Sequence, residues 1–179
     1  MTENAADELA GIAEVLMTGA NSRWWLTGGV ALAVSVGSCW RDHSDIDIAT
    51  LYGDALDTHL ELLESRGALE HDGKSRRYTV NLFTRRVEVE FLLSPGDDTH
   101  WVYRQDPALR VEWEHAVKRN ARGVPYLAPE LVLLSKSRSL RPHDHADARA
   151  VIPTLNNPSR MALAARLETG HPWIPLLNS

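Results

Sequence analysis

Two acidic pairs define the chemistry open to this sequence: Asp45 and Asp47 in DIDIATL, and Glu88 and Glu90 in RVEVEFLLS. Side chains alternate along a β-strand, so each pair places its carboxylates on one face. Like charges at this spacing need a cation between them, and carboxylates with substrate phosphates are the ligands that Mg²⁺ takes. Asp45 and Asp47 therefore predict a metal site. Glu88 or Glu90 would add a third carboxylate, as a second-metal ligand or a general base; the alternative is a solvated acidic strand edge.

Phosphate-binding groups precede the first acidic pair. Gly28 and Gly29 follow the apolar run WWL, and a helix starting there would present free N–H groups to a phosphate. The alternative is a plain tight turn, and no Gly-Lys-Ser/Thr follows that would make a Walker A loop. Arg41 and His43 are candidates for holding an anion, by a guanidinium clamp and an imidazole hydrogen bond. The alternative for both is pairing with an acidic loop neighbour.

A second cluster of polar residues lies near the end of the chain. Lys136 falls on a predicted helix opened by Pro129, where a lysine is usually solvated. His143, Asp144 and His145 resemble a metal-binding group, but the same residues follow a proline and fit the capping of a new helix. Capping is the favoured interpretation.

Bulk properties exclude several classes of protein. The chain has 179 residues, a formal net charge of −5 and a single cysteine, Cys39. This charge gives no support for a general nucleic-acid binder, and one cysteine allows neither an internal disulfide nor a cysteine zinc cluster. The acidic N-terminal residues do not form a signal peptide, and no apolar run has the length of a membrane span. We therefore expect a cytoplasmic protein that does not enter a membrane.

The pattern of apolar residues predicts an α/β or α+β fold, with strands and helices alternating early and helices dominating later. Predicted strands cover residues 24–26, 45–51, 68–71, 77–83 and 87–93. Predicted helices cover residues 5–17, 30–36, 55–66, 129–139, 142–152 and 160–167. We expect a catalytic core over residues 1–98 and a mainly helical part over 99–179, packed on the core or forming one domain with it.

The segment from residue 26 to residue 48, LTGGVALAVSVGSCWRDHSDIDI, resembles the DNA polymerase β superfamily of nucleotidyltransferases. Within it, the pattern Gly-Gly-x-Ala, a Gly, then Arg-x-His-x-Asp-Ile-Asp is similar to the aminoglycoside 2''-nucleotidyltransferases and lincosamide nucleotidyltransferases. A weaker match covers residues 123–147, where related nucleotidyltransferases associate a Lys and an Asp with the nucleotide or the active site. That match places Lys136 and Asp144 at the site.

The resemblance implies a nucleotidyltransferase fold, in which a mixed sheet is flanked by helices with a C-terminal helical part. It implies two Mg²⁺ ions held by Asp45 and Asp47, with a third carboxylate from the strand of Glu88 and Glu90. Glu90 is the expected metal ligand, but the choice between the two glutamates stays open. An NTP, with ATP expected, is the implied co-substrate. The reaction would transfer a nucleoside monophosphate to a hydroxyl of a small molecule such as an aminoglycoside or lincosamide.

Other roles for such a chain stay open at this point. One is a toxin of a toxin–antitoxin or phage-defence system acting on tRNA or protein. Another is a non-catalytic nucleotide-binding protein on the same fold. Val30 stands where the antibiotic enzymes usually have Trp, and the third acid is Glu where Asp is usual, so the acceptor is not fixed by the motif. The sequence predicts no oligomeric state.

Overall fold

The computed structural model describes residues 4–52, 54–71, 73, 76–81 and 86–178. The helices are α1 (Asn4–Leu16), α2 (Gly28–Val36), α3 (Asp54–Ser65), α4 (Trp113–Ala116), α5 (Pro129–Ser137), α6 (Pro142–Val151), α7 (Asn157–Ala164) and α8 (Ile174–Leu177). The strands are β1 (Trp24–Thr27), β2 (Asp45–Leu51), β3 (Glu70–His71), β4 (Arg77–Asn81), β5 (Arg86–Ser94), β6 (His100–Val102), β7 (Arg110–Glu112), β8 (Val117–Arg119) and β9 (Pro125–Leu127). The end of the predicted strand 77–83 and most of its hairpin lie outside the described residues.

A mixed seven-stranded sheet forms the centre of the molecule, in the order β3-β4-β5-β2-β1-β9-β8. The pairs β2–β5 and β1–β9 are parallel and the other neighbours are antiparallel. Strands β6 and β7 form a separate two-stranded sheet. This mixed sheet with flanking helices confirms the predicted fold class.

Helix α2 is the central helix of one face of the sheet. Its residues from Val30 to Val34 are small, apolar and all buried, because it contacts β1, β2 and β9 on one side and α1, α5 and α6 on the other. Ile46 and Ile48 of β2 are also fully buried. Alternation along β2 therefore leaves Asp45 and Asp47 on the opposite face, as the sequence predicts.

Residues from both sides of the predicted division at residue 98 build the main sheet. Strand β9 pairs with β1, and β8 pairs with β9. The stretch from residue 99 to residue 127 holds four three-residue strands and one four-residue helix joined by loops, and helices dominate only from Pro129 onward. Strands of three residues are too short to show a clear alternation in the sequence.

None of the described helices combines the length and the apolar character needed to cross a membrane.

Trp173, in the C-terminal segment, is fully buried against the helices, and its indole N–H donates to Nδ1 of His145 at 3.4 Å. The tail thus belongs to the folded core.

Candidate active site

The pairing of β2 with β5 brings the two acidic pairs together. In the parallel register Asp45 lies beside Glu88 and Asp47 beside Glu90, so all four carboxylates share one face of the sheet. Asp45, Asp47 and Glu90 line a cavity of about 470 Å³. Glu88 is exposed and does not line this cavity. The structure therefore places Glu90, and not Glu88, in the cavity that the two aspartates line.

The electrostatic environment of Asp47 is that of crowded carboxylates. Burial raises the pKa of Asp47 to about 6, and the negative charges of Asp45 and Glu90 act in the same direction. Arg77 offsets part of this charge through an ion pair with Glu90 at 2.9 Å. A divalent cation stabilises the ionised form of a carboxylate placed among acidic neighbours, so these residues fit the implied Mg²⁺.

A compact group of potential metal ligands occurs elsewhere in the described part of the chain. Ligand atoms of Glu112, Glu114 and His115 all lie within 4.8 Å of one another, and the three residues are exposed. The oxygens of Asp45, Asp47 and Glu90 are not gathered as closely. The His143–Asp144–His145 group is not among such clusters either, in agreement with the preference for capping.

Gly28 and Gly29 begin helix α2 beside the acids, and no side chain caps the helix: Thr27, at the N-cap, makes no capping hydrogen bond. Gly28 has a φ of 63°, and a Cβ there would overlap the Asp47 carboxylate. A Cβ on Gly29 would lie 2.5 Å from Arg41 Nη2 and 2.7 Å from His43 Nδ1. Gly28 therefore requires glycine, whereas a Cβ at Gly29 would displace the Arg41 and His43 side chains that pack on the backbone there.

Arg41 has a partner that the sequence interpretation did not consider. Its Nε and Nη2 donate to the carboxylate of Asp147 at 2.7 and 3.0 Å, and Trp40 Nε1 donates to the same carboxylate at 3.1 Å. Arg41 still lines the cavity. The alternative, pairing with the side chain of an acidic loop neighbour, gives way to a bidentate pair with helix α6, and Arg41 Nη1 donates to the backbone carbonyl of Asp42 at 3.1 Å.

Lys136 is buried, which overturns the expectation of a solvated lysine. Its Nζ contacts Asp144 Oδ1 at 2.6 Å and Asp147 Oδ2 at 3.1 Å, and its side chain lines the cavity. The burial is possible because two carboxylates neutralise the ammonium group. Lys136 and Asp144 are therefore both placed at the site, Lys136 on the cavity wall and Asp144 behind it.

Asp144 has a second partner at the start of α6. Its Oδ2 accepts the backbone N–H of Arg141 at 2.8 Å, which confirms the predicted capping of this helix. Burial alone would raise the pKa of Asp144, but hydrogen bonds from Lys136 and from the Arg141 backbone hold it at about 2. The carboxylate is thus ionised at neutral pH and pairs permanently with Lys136.

His43 lies on the cavity wall with a free ring nitrogen. Its Nε2 is buried and has no hydrogen-bond partner among the described residues. Burial lowers the pKa of His43 to about 4, and the positive charge of Arg41 contributes to the shift. His43 is therefore neutral at neutral pH, and its Nε2 is an unpaired polar atom buried beside the cavity.

Sequence reasoning missed three functional candidates: Asp147, which binds Arg41 and Lys136, and the cavity-lining Arg77 and Arg141. One signal for Asp147 is its spacing. Asp144 and Asp147 are three positions apart, which places both on one side of a helix. Arg77 could not have been found, because its place at the site depends on the pairing of β4 with β5.

A mixed sheet with paired carboxylates beside a glycine-opened helix defines the nucleotidyltransferase fold. The chain belongs to the aminoglycoside-2''-adenylyltransferase family, whose model matches residues 9–148, and it is a nucleotidyltransferase enzyme. The suspected superfamily resemblance is thereby confirmed. No curated protein matches the sequence.

Several solved structures share the fold. The lincomycin-bound lincosamide antibiotic adenylyltransferase LnuA is 20% identical, with a TM-score of 0.60, over 81% of this chain and 95% of LnuA. ANT(2'')-Ia in complex with adenylyl-2''-tobramycin is 16% identical, with a TM-score of 0.58, over 90% of this chain and 95% of that chain. An antigenic nucleotidyltransferase-like protein from Paracoccidioides brasiliensis is 20% identical, with a TM-score of 0.59, over 96% of this chain and 92% of that chain.

Proposed function

We propose that this enzyme transfers the nucleoside monophosphate of an NTP, with ATP as the expected donor, to a hydroxyl of a small molecule such as an aminoglycoside or lincosamide antibiotic. The observation that carries the proposal is the register of β2 and β5, which sets Asp47 beside Glu90 and on the same face as Asp45. The family match and the two antibiotic-modifying structures support a small-molecule acceptor over the toxin alternative.

Mg²⁺ would be held by Asp45, Asp47 and Glu90, and when bound it would neutralise the charge of the phosphates and of the carboxylates. Two ions are the expected number. The proposal draws on the donor set: three carboxylates on one cavity wall, one of them with a pKa raised by its acidic neighbours.

The triphosphate would lie against the opposite, cationic wall of the cavity. Lys136 and Arg141 offer positive charge there, and the uncapped start of α2 at Gly28 and Gly29 offers backbone N–H groups. His43 also lines this cavity, and its neutral ring would offer a hydrogen bond to a phosphate oxygen. These groups would stabilise the charge that develops on the departing pyrophosphate.

The transfer itself is an in-line displacement at the α-phosphorus. The acceptor hydroxyl oxygen forms a bond to that phosphorus while the bond to the bridging oxygen of the β-phosphate breaks, and pyrophosphate leaves. We assign the hydroxyl proton to Glu90, whose carboxylate faces the cavity beside Asp47. A carboxylate within reach of the attacking hydroxyl is the group that general-base catalysis requires.

The proposal is tested by incubating the protein with ATP, Mg²⁺ and a panel of aminoglycosides and lincosamides. We expect pyrophosphate release and an acceptor whose mass increases by one nucleoside monophosphate, both dependent on Mg²⁺. Asp45→Asn is the control, and it should fold normally and lose the activity. Absence of a product with every acceptor, or equal turnover by Asp45→Asn, would overturn the proposal.

A further inference from the structure

Three charged side chains, Asp47, Glu90 and Arg77, form a row across neighbouring strands of the sheet. Glu90 of β5 lies opposite Asp47 of β2 on one side and opposite Arg77 of β4 on the other. Residues directly opposite each other project to the same face, and the strands are about 5 Å apart, so the three side chains stand next to one another. All three line the charged cavity.

We propose that Arg77 determines the specificity for the acceptor, and that it selects a hydroxyl whose neighbouring group carries an oxygen and not an ammonium. The substrate class is a sugar hydroxyl flanked by other hydroxyls, and the amino sugars of an aminoglycoside are disfavoured. The inference rests on the proposed function and extends it, since it concerns the acceptor at the same site.

The first argument is the order of the strands around the metal-binding acids. Strand β2, which carries Asp45 and Asp47, lies between β1 and β5. The start of α2 at Gly28, which is proposed to hold phosphate, directly follows β1, whereas Arg77 lies beyond β5. Attacking and leaving oxygens are roughly in line in phosphoryl transfer, so the acceptor approaches opposite the departing pyrophosphate. It therefore approaches from the side of Glu90 and Arg77.

The second argument is the ion pair of Arg77 with the proposed base. Arg77 Nη2 donates to Glu90 Oε2 at 2.9 Å. The side chains of Arg77 and Glu90 are 49% and 28% exposed, so the pair lies at the open edge of the cavity. An acceptor whose hydroxyl reaches Glu90 therefore places its neighbouring groups beside the guanidinium of Arg77.

The charge of Arg77 decides which neighbouring group is favoured. A guanidinium has N–H donors and no acceptor, so it hydrogen-bonds to a hydroxyl oxygen and repels an ammonium. Like charges a few ångströms apart at a protein surface weaken binding by about tenfold or more, and such repulsion is a means of specificity. An ammonium would also have to compete with Arg77 for the Glu90 carboxylate.

The described acids that line the cavity do not provide another partner for an ammonium beside Glu90. Asp45 and Asp47 would be neutralised by the proposed Mg²⁺, and Glu90 is paired with Arg77. The remaining acid on the cavity wall, Asp42, lies in the loop before β2 and not on a strand next to β5.

The test compares acceptors of different charge on the wild-type protein and on variants of Arg77. The acceptors are a lincosamide, whose sugar has no free amino group, an aminoglycoside, and the same aminoglycoside with its amino groups acetylated. Arg77→Lys retains the positive charge, and Arg77→Gln removes it. Arg86→Gln is the matched control, because Arg86 forms an exposed ion pair with Glu70 at 3.1 Å on the same sheet and does not line the cavity.

Initial rates of pyrophosphate release with Mg²⁺ and ATP give kcat and KM, and melting temperatures check folding. We expect the wild-type kcat/KM to be about tenfold or more higher for the lincosamide and the acetylated compound than for the free aminoglycoside. Arg77→Lys should retain this ratio. Arg77→Gln should reduce it by about tenfold, mainly through a lower KM for the free aminoglycoside. Arg86→Gln should leave it unchanged.

Three results would overturn the inference while the proposed function stands. One is a wild-type preference for the free aminoglycoside. Another is an equal loss of kcat for every acceptor in Arg77→Gln at an unchanged ratio, which would show that Arg77 only holds Glu90. The third is the same change of ratio in Arg77→Lys as in Arg77→Gln, because charge would then not be its cause. If the wild-type protein transfers nothing to any of the three acceptors, the proposed function fails together with the inference.

Discussion

The carboxylate of Asp147 accepts two hydrogen bonds from the guanidinium of Arg41, at 2.7 and 3.0 Å, across 106 positions of the chain. This pair joins helix α6 to the loop that leads into the strand of Asp45 and Asp47. The same carboxylate contacts Lys136 at 3.1 Å. Asp147 thereby holds two cations on the wall of the proposed nucleotide site, although it is not itself among the described residues that line the cavity.

The first prediction concerns the stability that Asp147 provides. Asp147→Asn should lower the free energy of unfolding by about 3 kcal/mol, because removing one charge of a buried pair leaves its partners uncompensated. Urea unfolding measures the change. Asp57→Asn, in the exposed pair with Arg76, is the matched control and should cost less than about 1 kcal/mol. Equal effects of the two substitutions would contradict the role of Asp147.

The stabilisation of the fold by Asp147 should also depend on pH. Burial alone would raise the pKa of Asp147, but the hydrogen bond from Arg41 and the charge of Lys136 hold it below its ordinary value. An acid with a lowered pKa in the folded state stabilises the fold above its unfolded pKa of about 3.9, and this stabilisation is lost as the pH falls through the folded pKa. The difference between wild type and Asp147→Asn should therefore shrink in acid.

The second prediction concerns Asp47, whose pKa is shifted upward, in the opposite direction to the pKa of Asp147. Its pKa is raised to about 6, so in the absence of a divalent cation the fold loses stability as the pH rises from about 4 to 6. Asp47→Asn should abolish transfer and yet raise the free energy of unfolding at pH 7 to 8, by on the order of 2 kcal/mol. Thermal unfolding in EDTA at several pH values measures this.

Mg²⁺ provides the control for Asp47. Mg²⁺ with ATP should raise the melting temperature of the wild-type protein and have a smaller effect on Asp47→Asn, because ligand binding to the folded state stabilises it. A variant that is less stable than the wild type at pH 8 in EDTA would show that Asp47 has a structural role instead.

The third prediction concerns the contact between Gly28 and Asp47. Gly28→Ala should cost stability and most of the activity, since the added Cβ overlaps the Asp47 carboxylate and a φ of 63° disfavours alanine. Gly37→Ala is the matched control: Gly37 has a φ of 75°, and no atom lies within 4 Å of its added Cβ. Gly37→Ala should therefore cost about 1 kcal/mol from the backbone alone and retain activity.

Comparing the two glycine variants separates backbone strain from the close approach. The difference between them in kcat, and in the free energy of unfolding, isolates the displacement of Asp47. Identical losses of kcat and of the free energy of unfolding in Gly28→Ala and Gly37→Ala would show that only the left-handed backbone conformation matters at Gly28.

Local patterns in the sequence predicted much of this fold and site. Alternation in DIDIATL identified both the strand and the face of Asp45 and Asp47, because period two is a property of each strand by itself. The glycine pair and the capping by Asp144 were likewise visible, since their causes lie within a few residues. These features depend on the local chain and not on its partners.

The rest of the site depends on contacts between distant segments, which no local pattern encodes. The burial of Lys136 follows from two carboxylates on another helix, and the partner of Arg41 lies in that same helix. The choice between Glu88 and Glu90 required the register of β2 with β5. Strands β8 and β9 join the sheet although each has only three residues, too few for a periodic signal.

The last prediction concerns the choice between Glu88 and Glu90. Glu90 lines the cavity beside Asp47, whereas Glu88 is exposed two positions earlier on the same face, so the two glutamates form a matched pair. Glu90→Gln should lower kcat at least a hundredfold, because it removes the proposed base and cation ligand, while Glu88→Gln should stay within a few fold of wild type. Initial rates of pyrophosphate release measure both, with melting temperatures as a check on folding. A greater loss of kcat in Glu88→Gln than in Glu90→Gln would mean that Glu88 is the third carboxylate and that β5 presents Glu88, not Glu90, to the bound substrates.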